Sequence, residues 1–242
     1  VEAVLMIHPA DADLPNISSL AVQQLKATYT GKAAHAAAAP EKGINALDGA
    51  VLGYMGVAAL RQHIAPYERL HGIFTNGGQK ANIVPEAAET IWYARSSSME
   101  KLEILKTRLV ETLKGGARSA ACDIQIDWIN EPYADVLDNT PLLEAYMKNS
   151  ESLGRVIKVA DDGGVVGSTD LGNVSHVVPS IHPMVKVAPK GTAIHTVDFE
   201  KCAKSKEGDE GLLDSAKSLA MTVLDCWKNP SLLKEAKDFF AS

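Results

Sequence analysis

The chain has 242 residues, 46% hydrophobic and 22% charged, with a formal net charge of −6. This is the composition of a globular protein of one large domain or two small ones. The acidic balance argues against a general nucleic-acid surface. No apolar run reaches the length of a membrane span, and no secretory leader pattern opens the chain. Cys122, Cys202 and Cys226 form neither a CxxC pair nor an even disulfide set, so reduced thiols in the cytoplasm are expected.

The chain opens directly on a strand-like run, as one beginning in mid-domain would. VEAVLMIHP is β-branched and apolar and predicts a buried strand ending at His8-Pro9. From about Leu20 to Asp138 the pattern predicts strand, helix, strand, strand, helix, strand. LAVQQLKATYTG is the first strand. Asn45 then caps a helix whose apolar spacing runs through Leu47, Val51, Tyr54 and Ala58. RLHGIFTNGG and ANIVPEAAETIWYARS form a strand pair turning at Gly77-Gly78. Ser98 caps the second helix, which Gly115-Gly116 is expected to break or kink. CDIQIDWI is the last strand. This order is the ferredoxin-like split βαβ pattern. Asn139-Thr140-Pro141 starts a further helix. DDGGVVGSTDLGNVS follows, with backbone N–H groups suited either to an anion or to a plain surface loop. VPSIHPMVKVA is a strand, GTAIHTVDFE carries His195, and a long helix stops near Pro230 before a short amphipathic one.

GKAAHAAAAPEKGINALDGAV (31–51), together with GSTDLGNVS, VPSIHP and His195-Thr196-Val197-Asp198, resembles the di-zinc metallopeptidases that include aminoacylase, carboxypeptidase G and carnosinase. The nearest branch is that of amidohydrolases cleaving dipeptides with a basic C-terminal residue, or aminobenzoyl-glutamate. The resemblance implies an α/β protein in which a ferredoxin-like βαββαβ lid, also the dimer interface, is inserted in a partial zinc-peptidase domain. The divisions would be 1–19, 20–138 and 139–242. It implies two zinc ions per complete active site, with His8 and His195 each serving a different one. His35 matches the lid histidine that reaches the neighbouring protomer's site, where it polarises the scissile carbonyl. Asn82 and Arg95 match substrate-binding positions, and Ser168, Thr169 and Asp170 lie in a matching substrate segment.

Read without that resemblance, His8 and His195 are loop or core histidines, His35 is a loop histidine, Asn82 is a turn residue and Arg95 forms a strand-edge salt bridge. His63, His71, His176 and His182 read as structural, with His182 close to the site. The resemblance also shows what the sequence does not contain. It has no HxD motif and no Glu-Glu pair, which carry the bridging carboxylate and general base in the family. The family's first catalytic segment is thus expected to be absent, and the chain alone is expected not to hydrolyse amides. The expected function is part of a zinc-dependent amidohydrolase or dipeptidase acting on a dipeptide or N-acyl amino acid as a homodimer. The alternatives are a non-catalytic dimeric scaffold or truncated product, and a ferredoxin-like small-ligand-binding module.

Overall fold

The computed structural model describes residues 1–16, 18–157 and 166–242. In chain order it begins with β1 (Val4–Leu5), β2 (His8–Ala10) and β3 (Ser18–Ser19). There follow β4 (Ala21–Thr30), α1 (Ala46–Leu60), β5 (Arg69–Asn76), β6 (Ala87–Ser96), α2 (Met99–Ser119) and β7 (Asp123–Tyr133). The rest comprises α3 (Thr140–Ser152), β8 (Val166–Gly167), α4 (Leu171–Ser175), β9 (Ser180–Ile181), β10 (Met184–Lys186), α5 (Val197–Ala203), α6 (Lys206–Lys228) and α7 (Pro230–Phe240). These elements fall into two units, one of Leu20–Tyr133 and one of Val1–Ser19 with Ala134–Ser242. Among the described residues no helix is long and apolar enough to cross a membrane.

The unit Leu20–Tyr133 is one four-stranded sheet in the order β5-β6-β4-β7, every neighbouring pair antiparallel, with α1 and α2 in the two crossovers. That is the ferredoxin-like topology. Its cause is visible in β6, where burial alternates along all ten residues, so that one face is apolar and packed. Leu25, Ala27, Tyr29, Trp92 and Ala94 on that face join Leu102, Leu105, Leu109 and Leu113 of α2 in one core. The Trp92 indole N–H, fully buried, donates to Thr90 Oγ1 at 2.9 Å.

Several local expectations are corrected. The buried stripe of α1 is Ala46, Gly49, Ala50, Gly53 and Val57, whereas Val51 is exposed and Leu47, Tyr54 and Ala58 are only partly buried. Small residues win that face because α1 lies very close to α2. A Cβ on Gly116 would sit 2.3 Å from Gly53 N and 2.8 Å from Gly49 O. For the same reason α2 runs unbroken through Gly115 and Gly116, which serve helix contact and not termination. The third strand begins at Ala87 and not at Ala81. The first run is two short strands, β1 and β2, and His8 opens the second one. Leu5 and Ile7 are half-buried, since β1 pairs with β9 and β2 with β10 in two-stranded parallel sheets.

The other unit holds several smaller apolar clusters. One joins Leu142, Tyr146, Ile181 and Ala236; another joins Val185, Val187, Ala188 and Phe199. Polar ties hold the pieces together. Asn139 caps α3 by accepting from Leu142 N, and its Nδ2 donates to Ala236 O at 2.8 Å. Arg155 donates to Asp214 at 3.1 Å and to Lys186 O at 3.1 Å, and lies 3.4 Å from Asp13. The helix α4 is pinned to the segment before α3, where Asn173 Oδ1 accepts from Ala134 N and Ser175 Oγ accepts from Leu137 N. A Cβ on Gly172 would come within 1.9 Å of Ala134 O, so only glycine permits that approach. The helix α6 starts at Lys206, nine residues ahead of the expected Ser215, because Ser205 caps it.

Candidate functional site

His35 lies where the β4–β6 ladder is carried beyond the sheet. Past the Thr30–Ala87 pair, Gly31 N donates to Glu86 O at 2.8 Å, Val84 N to Ala34 O at 2.9 Å and Ala36 N to Asn82 O at 3.1 Å. His35 and Ile83 form an isolated antiparallel bridge. The alanine-rich segment is therefore not a loose loop, and it brings His35 beside Asn82. The His35 ring is exposed, and its Nδ1 accepts from Ala37 N at 3.3 Å and Ala38 N at 3.2 Å. With Nδ1 accepting, the neutral ring carries its proton on Nε2. A hydrogen-bond donor thus faces outward on a held ring.

Arg95 stands at the opposite end of the same strand. Its register partner on β4 is Val22, eight residues from the Ala87 end, about 27 Å at the usual strand rise. Within one chain Arg95 and the His35–Asn82 pair thus belong to different ends of the sheet. The Arg95 Nε–H donates to His71 Nε2 at 3.4 Å, and its guanidinium lies 5.6 Å over the Tyr93 ring. His71 and Tyr93 stack with their planes 4° apart. Burial, then Arg95 and Arg61, lowers the His71 pKa and keeps the ring the neutral acceptor that this contact needs. His71, read from sequence as structural, is thus an orienting neighbour of Arg95. Only its register opposite Tyr93 reveals this.

In the other unit His8 Nδ1 lies 2.7 Å from Pro9 O. A carbonyl only accepts, so Nδ1 carries the proton and Nε2 presents a lone pair. This is the arrangement of a metal-ligating imidazole with its outer partner in place. His182 lies close to His8, with ring centroids 6.0 Å apart and planes at 72°. It is 1% exposed, and neither ring nitrogen has a hydrogen-bond partner among the described residues. Burial pushes its pKa down to about 4. The sequence placed His182 near the site but read it as structural, because nothing in SIHP announces an orphaned ring.

His195 is exposed and adopts φ +62°, the left-handed region. Such a conformation in a non-glycine residue is uncommon, and it gathers at functional positions. Thr196 follows as the α5 cap, its Oγ1 accepting from Phe199 N at 3.2 Å. Ser168 and Thr169 are half-buried ahead of α4, Thr169 Oγ1 accepts from Leu171 N, and Asp170 is exposed at the α4 start. Of the glycine-rich stretch expected to cradle an anion, residues 161–165 lie outside the described residues. His176 Nε2 bonds Asp135 O at 3.0 Å, a structural tie. Among the described residues no three His, Cys, Asp or Glu side chains are grouped so as to hold a metal ion. The donor chemistry of His8, with its outer carbonyl, nevertheless fits zinc.

Residues 22–120 match the peptidase dimerisation domain of the M20 family. Over 99% of its length the chain is 37% identical to Xaa-Arg dipeptidase of Homo sapiens, of which it covers 55%. It is 25% identical to one of the p-aminobenzoyl-glutamate hydrolase subunits of Escherichia coli (strain K12), with 98% of this chain and 61% of that protein aligned. The chain thus spans about half the length of the curated relatives it matches. Among solved structures, the aminobenzoyl-glutamate utilization protein of Klebsiella pneumoniae superposes with TM-score 0.70 at 18% identity, over 95% of this chain and 56% of that one. An aminohydrolase of Staphylococcus aureus gives TM-score 0.71 at 17% identity, over 93% and 59%. The comparisons support the M20 peptidase/amidohydrolase family for this chain, with residues 22–120 of its antiparallel unit matching that family's peptidase dimerisation domain.

Proposed function

We propose that this chain is part of a zinc-dependent amidohydrolase or dipeptidase that cleaves an amide bond beside a free carboxylate, in the cytoplasm. The observation that carries the reading is His35, an exposed ring whose Nδ1 is occupied by two backbone N–H groups, so that Nε2–H is left to donate. Such a donor suits the oxygen of a scissile carbonyl as charge develops on it. Asn82, sewn to the same loop, supplies a second polar group at that end of the lid. Arg95, with its fork oriented by His71 and Tyr93, suits the substrate's terminal carboxylate. Because about 27 Å of strand separates the two ends, this reading has His35 and Asn82 act in the partner protomer's site.

His8 and His195 would each hold one of two zinc ions. Bound zinc supplies Lewis-acid polarisation and water activation. Ser168, Thr169 and Asp170 would face the substrate. The likeness to Xaa-Arg dipeptidase favours a dipeptide with a basic C-terminal residue, or a related N-acyl amino acid. Three free thiols accord with a reducing compartment.

The homodimer would pair through β5. That edge exposes Ile73 and Phe74. The other edge, β7, carries Asp123, Asp127 and Glu131 and a pairing irregularity beside left-handed Asn130, features that blunt an edge.

The test is turnover of an alanyl-arginine dipeptide with zinc. A longer protein containing this chain should be active, and its His35→Ala variant should lose about a hundredfold or more with folding unchanged. The 242-residue chain alone should be inactive. Near-normal turnover by the variant would remove His35 from the chemistry.

A further inference from the structure

His182 lies between β9 and β10, on the strand run beside the one that carries His8. The backbone fixes their proximity: His8 N donates to Pro183 O at 3.0 Å, and His8 is the register partner of Met184. An imidazole that is 1% exposed with both nitrogens unpartnered among the described residues is a rare and costly arrangement. One way native structures keep such a group is by pairing it with a bound ion or water.

The surroundings narrow what that is. His8 has committed Nδ1 to Pro9 O, so its free lone pair is on Nε2. His182 has neither ring nitrogen committed to a partner among the described residues, so it too has a lone pair to offer. Two imidazoles that each offer a lone pair suit a divalent cation, and they suit an anion poorly. With Zn–N bonds near the usual length, two imidazoles on one tetrahedral ion have ring centroids about 5 Å apart. The observed 6.0 Å is a small side-chain adjustment away.

We propose that His182 is a metal ligand that shares one divalent cation with His8. This rests on the reading of His8 as metal-facing and adds a residue to it. The remaining coordination positions would be filled by groups other than these two rings.

The test is Zn²⁺ titration of the 242-residue chain by calorimetry, with ¹⁵N imidazole spectra of the seven histidines recorded in parallel. The probe is the metal alone. The expected result is that the His8 and His182 ring nitrogens shift together on adding Zn²⁺. His8→Ala and His182→Gln should each weaken binding about tenfold or more, at least the scale reported for losing an outer partner of a ligand. Weakening by His8→Ala alone, with unmoved His182 signals, overturns this inference and leaves the reading of His8 intact. If neither variant weakens binding and neither ring shifts, both fall. Should His182→Gln fail to fold, the wild-type His182 signals decide by themselves.

Discussion

The two units hold their candidate site side chains in different ways. In Leu20–Tyr133 a single core of Leu, Ala, Tyr and Trp backs four long paired strands, and His35, Asn82 and Arg95 ride on that ladder or its continuation. In the other unit, strands of two or three residues are backed by separate small clusters, and side-chain caps and ion pairs carry much of the connection. The first unit therefore positions residues by register. The second positions them by local ties, and it is there that a strained His195 and an unpartnered His182 are found. The difference teaches that long paired strands fix a side chain's place through register, whereas short strands leave it to individual hydrogen bonds and caps.

The sharpest way to break this contrast is Trp92→Ala. Trp92 is fully buried in the one continuous core, and its loss should cost about 3–5 kcal/mol. Hydrogen exchange should show protection falling throughout β4–β7, α1 and α2, with the small clusters around Leu142 and Val185 little changed. Loss of protection in both units alike would show that the second depends on the first.

Next comes the long edge that only the sheet unit exposes. Ile73→Lys places a charge on β5, and it should raise the dimer dissociation constant about tenfold or more, some 1.4 kcal/mol. Sedimentation equilibrium of both proteins checks this, and an unchanged association would move the interface elsewhere.

A smaller loss is expected from Asn139→Ala. It removes the α3 cap and the bond to Ala236 O, for about 1–2 kcal/mol. Because the tie is local, exchange should quicken in α3 and α7 while the sheet unit keeps its protection.

The smallest effect concerns acid. His71 has a folded pKa below its unfolded value, so the unfolded chain takes up the proton more readily. Its contribution is full above about pH 6.5 and is lost as pH falls below that. A His71→Gln variant should show a shallower decline of lid stability on the acid side of about pH 6.5, measured by urea melts at several pH values. An identical slope would mean that His71 is not held neutral against Arg95.

Much of the sheet unit was legible because its signals are periodic. Alternation in β6, the Asn45 and Ser98 caps and the order of elements all predict the βαββαβ path, and each is a local feature. The α1 face was misread because apolar size points to Leu47 and Val51, whereas close helix packing selects Gly49 and Gly53. The same pressure turned Gly115-Gly116 from an expected break into a contact. In the other unit, short strands gave weaker patterns, and the first run could be read as one buried strand when it is two half-buried ones.

For the candidate site, the sequence by itself determined which side chains are present: His8, His35, Asn82, Arg95 and His195, within segments resembling a hydrolase. Only the tertiary structure decided their states. The proton positions on His35 and His8 follow from which backbone groups meet Nδ1, and these are set by folding of the loop and strand. The separation of Arg95 from His35 follows from strand register, and the orphaned ring of His182 from parallel pairing of segments some 170 residues apart in sequence. A sequence fixes donors and acceptors one residue at a time. Whether each is satisfied depends on neighbours that only the folded chain brings within hydrogen-bond reach.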